Sequence, residues 1–331
     1  LKCFHLKPRT SLRIARRYLQ AKTNYMAIPE HQLATWSNQG ANKTSASTYE
    51  SVTNCINGGN WNSEVGKKTY LQGSYKNSTN IYGDSDVDIV SELTSVYSYD
   101  TSNLDETGTQ NFDNQFTPAQ YTLVQYKKDV ISRLQNCYGA HNVVVGKKAI
   151  KIKGNGSRLD ADVVVCNSYR KYKKNNSNQN IGFVKGIKFY EEGTGIEIIN
   201  YPEPHYENGV EKNQYNRTHS NLKKVTRIFK NLKARMVNNN NNMMSSNIAP
   251  SYFVECLIYN ANDEHFKKSR YTDMVVPIIN QFLDDDKSGA NDKYVCQNCQ
   301  RWLFGNGNQQ WNKEDARTFI NNLVKIWNNY P

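Results

Sequence analysis

Residues 71–90 read LQGSYKNSTNIYGDSDVDIV. Gly73-Ser74 is followed by eleven residues and then by Asp86-Val87-Asp88. On a strand, residues i and i+2 point to the same face, so Asp86 and Asp88 present two carboxylates side by side. Such a pair repels itself unless a cation bridges it. Mg²⁺ is a hard ion that accepts carboxylate oxygens while keeping positions for water and substrate phosphate. Upstream, glycine lets backbone approach a phosphate closely, and serine adds a hydroxyl and an N–H. A phosphate anchor beside a dicarboxylate is what transfer from a nucleoside triphosphate requires. The candidate phosphate contacts are Gln72, Gly73 and Ser74, and the candidate metal ligands begin with Asp86 and Asp88.

A third carboxylate completes a two-metal site, and residues 158–165, RLDADVVV, supply it. Asp160 and Asp162 share one face, and the valine run that follows suits a buried strand. Period-two spacing does not choose between them. The chosen acid can also activate an attacking hydroxyl. An isolated Asp-x-Asp often decorates a turn. Here a Gly-Ser turn precedes it and a second acid-bearing strand follows.

Outward from this segment the pattern is mixed α/β first and helical second. Helices are expected over 28–39, 43–57 and 117–138, the last starting at Thr117-Pro118. Strands are expected at 67–72, 85–92, 142–152, 158–166, 183–190 and 195–200. Residues 96–116 read as a loop, and the Asn run from 238 to 242 as a surface loop between helices. From 216 onward the expected helices are 216–237, 250–260, 271–284, 293–304 and 313–328. The Pro202, Pro204 and Gly209 cluster suggests a boundary, which gives domains 26–210 and 211–331.

The 331 residues carry 42 Lys and Arg against 30 acids, a net charge of +12. Residues 1–25 hold seven of the basic residues and no acid, so the remainder carries 35 basic and 30 acidic residues, a net of +5. Upstream sequence, a targeting peptide and a basic arm all fit this stretch, and in each case it is expected to lie outside the working core. A chain begun at Met26 is therefore expected to keep full activity and to melt similarly, as turnover and thermal unfolding of the two forms will show. No apolar run is long enough for a membrane-spanning helix. The seven scattered cysteines read as reduced thiols of a cytoplasmic protein. Cys296-x-x-Cys299 has zinc-ligand spacing but no second pair to complete a site.

Gly-Ser-Tyr-x-x-x-Thr-x-Ile-x-x-x-Ser-Asp-Val-Asp-Ile resembles the signature of polymerase-β-like nucleotidyltransferases. More closely it is similar to the bacterial cGAS/DncV-like nucleotidyltransferases of CBASS anti-phage systems. The segments GIKFY at 186–190, Tyr201-Pro202, His205-Tyr206 and SYFVECLIYN at 251–260 resemble clade E members. The likeness runs from about Met26 to about Trp327 and leaves out residues 1–25. Ala161-Asp162-Val163 resembles the third-acid strand, which favours Asp162 over Asp160. The resemblance implies an α+β fold: a mixed nucleotidyltransferase sheet, a C-terminal helical lobe and an active site between them. It implies a cytoplasmic, monomeric enzyme using two Mg²⁺ ions, with Mn²⁺ able to substitute. Its substrates would be NTPs, ATP and UTP, joined into a cyclic dinucleotide read by an effector from the same operon. No membrane and no stable nucleic-acid partner are expected. A linear or RNA-tailing nucleotidyltransferase, and a non-catalytic nucleotide-binding module, are the alternatives.

Further candidates lie outside the motif. Lys223, Arg227 and Lys230 share one helix face at i, i+4 and i+7; Lys223 and Arg227 are expected to meet the triphosphate. Asn200 ends an apolar run, and its amide matches the O4 acceptor and N3–H donor of uracil. Tyr75 or Tyr201 could stack on a base. Glu255, within FVECLIY, is expected to be the buried partner of a basic residue, and His205 a satisfied loop histidine.

Overall fold

The computed structural model describes residues 28–40, 43–83, 86–104, 119–173, 182–238 and 243–330. Residues 1–25 and the run from Asn239 to Asn242 lie outside them. In chain order the elements are α1 (Glu30–Trp36), α2 (Lys43–Asn57), β1 (Lys67–Leu71), α3 (Gly73–Asn77), β2 (Val87–Asp100) and α4 (Leu123–Tyr138). Then follow β3 (Val143–Val145), β4 (Ile150–Ile152), β5 (Ala161–Tyr172), β6 (Phe183–Tyr190) and β7 (Glu197–Asn200). The helices α5 (Pro202–Lys212), α6 (Tyr215–Thr218), α7 (Leu222–Asn238), α8 (Ser251–Tyr259), α9 (Tyr271–Ser288) and α10 (Lys313–Asn328) complete the chain. Two compact units result.

The first is the sheet unit, Ala41–Lys76 with Asp84–Pro204. Its strands run β1-β2-β5-β4-β3, and β6 joins β5 to β7. β2 and β5 are parallel, and the other pairs are antiparallel. The length of β5 explains its three neighbours: its start pairs with β4, and the stretch from Asn167 onward pairs with β6. Alternation sends Val87, Ile89, Ala161 and Val163 into a core with Val52 and Ile56 of α2 and Tyr126, Val130 and Leu134 of α4. The even-numbered residues between them are left for the other face.

The second is the helical unit, which among the described residues takes in 28–40, 77–83, 205–238 and 243–330. Its core is built from Leu33 and Trp36 of α1, one stripe of α7 from Leu222 to Met236, and buried residues of α8, α9 and α10.

Several expectations need correction. The cysteines are not all reduced: Cys55 and Cys137 form a disulfide across 82 positions. α2 and α4 lie beside each other in the same core and bring their Cα atoms to 6.3 Å, a proximity that no sequence spacing announces. Cysteine usage therefore no longer speaks for a compartment. Cys296 is a buried free thiol. Among the described residues no helix is long and apolar enough to cross a membrane.

Residues 293–304 are not helical. After a 3-10 turn at Ala290–Lys293 the chain doubles back, with Val295 bridging Trp302. Conversely, the Pro202-to-Gly209 stretch is α5. Its prolines sit in the first turn, where a missing N–H costs nothing. The expected helix 216–237 is broken at His219 and Ser220, which both take positive φ. Residues 142–152 form two strands of a hairpin. α4 begins at Leu123, capped by a reciprocal Thr122–Gln125 box; Thr117 and Pro118 lie outside the described residues. β2 continues to Asp100, into the stretch expected as a loop.

Candidate active site

The parallel register of β2 and β5 sets Asp88 directly against Asp162, and Val87 against Ala161. Asp86, two residues before Asp88, precedes the strand. The acids therefore occupy the face opposite the packed valines. Val87 N–H donates to the Asp160 carbonyl at 2.9 Å, which ties the approach to β2 to the approach to β5.

The Gly-Ser turn is fitted onto this face. Gln72 N–H donates to the Asp88 carbonyl at 2.9 Å. Gly73 has φ +67°, and a Cβ there would lie 2.0 Å from Oδ2 of Asp88. Glycine is thus demanded twice, by the left-handed backbone and by the carboxylate against it. Ser74 follows within α3.

Burial, and then the charge of Asp86, push the Asp162 carboxyl above its ordinary range. Asp160 behaves oppositely. Its Oδ1 accepts from Gly154 N–H at 2.6 Å and its Oδ2 pairs with Lys151 at 3.0 Å. These partners hold it below the usual range, the Gly154 bond first. Asp160 is therefore a loop anchor and Asp162 an acid whose charge is left poorly balanced.

Lys151 was not singled out from the sequence. Its Nζ lies 3.1 Å from Asp86 and 3.0 Å from Asp160, and hydrogen bonds to Asp160 and then Asp86 raise its ammonium above the ordinary range. The signal was present in Ile150-Lys151-Ile152, whose alternation buries the isoleucines and turns the lysine to the acid face. Among the described residues no group of three or more His, Cys, Asp or Glu is gathered closely enough to hold a metal ion. The donor set nevertheless suits a hard divalent cation. Asp88 and Asp162 are register neighbours, Asp86 stands two residues away, and an ammonium already balances part of the charge.

Asn200 ends β7 in the same unit, exposed, opposite Ile187. Tyr201 is buried edge-on against Tyr169, with ring centroids 6.1 Å apart, so its ring is packing within the unit. Tyr75 packs partly buried against the sheet core.

Lys223, Arg227 and Lys230 belong to the helical unit. Lys223 is half-buried beside Tyr206, and burial followed by the charge of Arg227 lowers its ammonium pKa. Arg227 is buried; its Nε donates to the Ser37 carbonyl at 2.6 Å and its Nη1 to the Ser78 carbonyl. Lys230 is wholly buried and pairs with Glu255 at 2.5 Å, as expected of that glutamate. His205 lies in α5 rather than in a loop; its Nε2 meets Glu255 at 3.1 Å, whereas Nδ1 has no hydrogen-bond partner among the described residues.

A parallel pair of acid-bearing strands under a Gly-Ser turn, with a separate helical unit, defines a nucleotidyltransferase. Residues 207–328 match the cGAS/DncV-like nucleotidyltransferase C-terminal helical domain. The chain is 39% identical over 303 residues to the cyclic UMP-AMP synthase of Rhodothermus marinus, covering 91% of this chain and 98% of that one. It is 36% identical to the cyclic nucleotide synthase CdnE01 of Staphylococcus haemolyticus, covering 92% and 100%. The solved R. marinus CdnE c-UMP-AMP synthase with Apcpp and Upnpp superposes with a TM-score of 0.79 at 38% identity, over 91% of this chain and 96% of that one. The Elizabethkingia meningoseptica CdnE cyclic dinucleotide synthase with GTP and Apcpp gives 0.72 at 29%, over 90% and 98%. The chain belongs to the cGAS/DncV-like nucleotidyltransferases.

Proposed function

We propose that this enzyme condenses two nucleoside triphosphates, one of them UTP and the other ATP, into a cyclic dinucleotide. In a CBASS system that product would act on an effector from the same operon. The carrying observation is the Asp88–Asp162 register beside Gly73, where any side chain would collide with the Asp88 carboxylate. Asp86, Asp88 and Asp162 would hold two Mg²⁺ ions, or Mn²⁺, which neutralise phosphate charge and polarise the attacked phosphorus. Gly73 and Ser74 hold the triphosphate by backbone N–H and hydroxyl contacts, and Gln72 by its side-chain amide. Asp162 orients the attacking hydroxyl and takes its proton. The hydroxyl oxygen bonds to the α-phosphorus and pyrophosphate leaves; a second such transfer closes the ring.

Lys223 and Arg227 are the cations assigned to the triphosphate. Lys223 is the better suited, because two donor groups of Arg227 are already given to backbone carbonyls. The protein acts in the cytoplasm as a monomer.

Incubation with the four NTPs and Mg²⁺, followed by phosphatase, tests the reaction class. A cyclic product survives because it has no terminal phosphate, whereas linear products would be trimmed and would refute cyclisation. The base assignment rests on Asn200 and on the relatives. A polar contact that a bound base closes over discriminates by about tenfold or more, because the wrong base leaves it unmatched. Asn200→Ser is therefore expected to shift the product toward purines with total turnover largely kept, as mass spectrometry of the resistant product will show. A purely purine product from the unaltered enzyme sinks the uridine assignment alone.

A further inference from the structure

Glu255 sits in α8 amid apolar residues and is buried. Burial alone would raise its carboxyl, but Lys230 and then His205 more than offset this and hold it well below the usual range. Its other bonds go to a stretch that the reaction chemistry leaves unexplained. Oε2 accepts from the Asn77 amide at 3.1 Å and Oε1 from the Thr79 hydroxyl at 2.7 Å. Lys230 Nζ also reaches the Thr79 hydroxyl at 3.2 Å. Between them, the Ser78 carbonyl accepts from Arg227.

Three consecutive residues are therefore gripped by three buried charged side chains. Ser78 has φ +56°, unusual for a non-glycine residue. Such a conformation is unfavourable for a residue with a side chain and persists only where the surroundings over-determine it. The grip continues one residue further: Gly40 N–H donates to the Asn80 carbonyl at 3.3 Å and the Gln39 amide to the Asn80 side chain at 3.1 Å. Although it falls between two parts of the sheet unit in sequence, Asn77–Gly83 is assigned to the helical unit.

This stretch is also the covalent bridge between the two halves of the candidate site. α3 opens on Gly73-Ser74 and closes on Asn77; Asp86 follows three residues after Gly83. Thr79 is one of the motif residues, and it contributes no group to the metal or the phosphate in the reading above.

We propose that Glu255, with Lys230 and Arg227, is a positioning cluster. By holding Asn77, Ser78 and Thr79 it fixes the end of α3, and so fixes where the Gly73-Ser74 backbone meets the triphosphate. This rests on the nucleotide reading of Gly73-Ser74. Misplacing a reacting group by about 1 Å costs about a hundredfold in rate.

Thr79→Val removes the hydroxyl while leaving the Glu255–Lys230 and Glu255–His205 contacts in place; Thr79→Ser keeps the hydroxyl. Full-length variants are compared with wild type for kcat and KM of pyrophosphate release, for binding of a non-hydrolysable NTP analogue, and for thermal unfolding. Assays are run well below each unfolding midpoint. The expected result is a loss of about tenfold or more in kcat/KM for Thr79→Val, weaker analogue binding, and rescue to within about twofold by Thr79→Ser. Glu255→Gln is expected to lose at least as much activity, and to lower the midpoint because Lys230 is left poorly balanced. If Glu255→Gln does not fold, the Thr79 pair alone decides. Wild-type kcat/KM in folded Thr79→Val, or losses that only track the unfolded fraction, overturn the proposal. A wild-type enzyme that neither releases pyrophosphate nor binds the analogue would instead overturn the nucleotide reading.

Discussion

The double variant Asp86→Asn, Asp88→Asn is expected to lose nucleotidyl transfer by more than about a thousandfold while remaining folded. Each removed carboxylate withdraws a charge that would hold the metal against the transferring phosphoryl group, and removal of even one preorganised stabilising contact costs about 10²–10³ in rate. Neither side chain packs into the apolar core. Asp86 is exposed, and among the described residues its side chain pairs with the half-exposed Lys151, a kind of contact that contributes little. Asp88 lies on the open face, opposite Val87 and Ile89, which do the packing. Removing charge also relieves Asp162, whose carboxyl Asp86 pushes up. Pyrophosphate release and product formation, set beside thermal unfolding, measure both halves of this expectation. Wild-type turnover in the folded double variant would remove these residues from the mechanism.

Gly73→Ala is expected to lower kcat/KM by at least about a hundredfold, with a stability loss of about 1–3 kcal/mol. Two causes act together. The new Cβ would sit 2.0 Å from Oδ2 and 2.7 Å from Cγ of Asp88, so either the turn or the carboxylate must move. The φ of +67° is also one that alanine adopts only at a cost. Gly193→Ala separates them. Gly193 has φ +81° with nothing within 4 Å of the added Cβ, so it carries the backbone cost alone. Its kcat/KM should stay near wild type while its denaturant midpoint falls modestly. Equal activity in both alanine variants would show that the Asp88 contact does not matter to the reaction.

The acid-bearing strands were legible because alternation and charge agree there: VDIV and ADVVV leave little choice about which face carries Asp88 and Asp162. What the pattern could not supply was their register, which is a long-range pairing. What distinguishes the surroundings of Asp160 from those of Asp162 is the local bonding of the first to Gly154 and Lys151, again absent from any period. The Pro-rich stretch at 202 suggests a boundary because prolines usually break structure; two prolines in a first turn start α5 there, and the two compact units part between Pro204 and His205. Residues 293–304 failed for the opposite reason. Their apolar spacing suits a helix, but backbone bridges between Val295 and Trp302 and between Phe304 and Trp311 fold them into irregular chain. The Cys55–Cys137 link and the membership of Asn77–Gly83 in the helical unit both arise from tertiary proximity. Composition and spacing are silent on such proximity.

The parallel pairing of β2 with β5 has a kinetic consequence. Asp88 meets a partner at position 162, far along the chain, and β3 and β4 intervene in sequence. Parallel, non-local pairing must meet its loop-closure entropy before any contact rewards it, which places it among the slower steps of folding. Until that step is complete the second and third acids are not neighbours. A nascent or partly folded chain therefore lacks a working centre, and signal synthesis begins only when the sheet has closed.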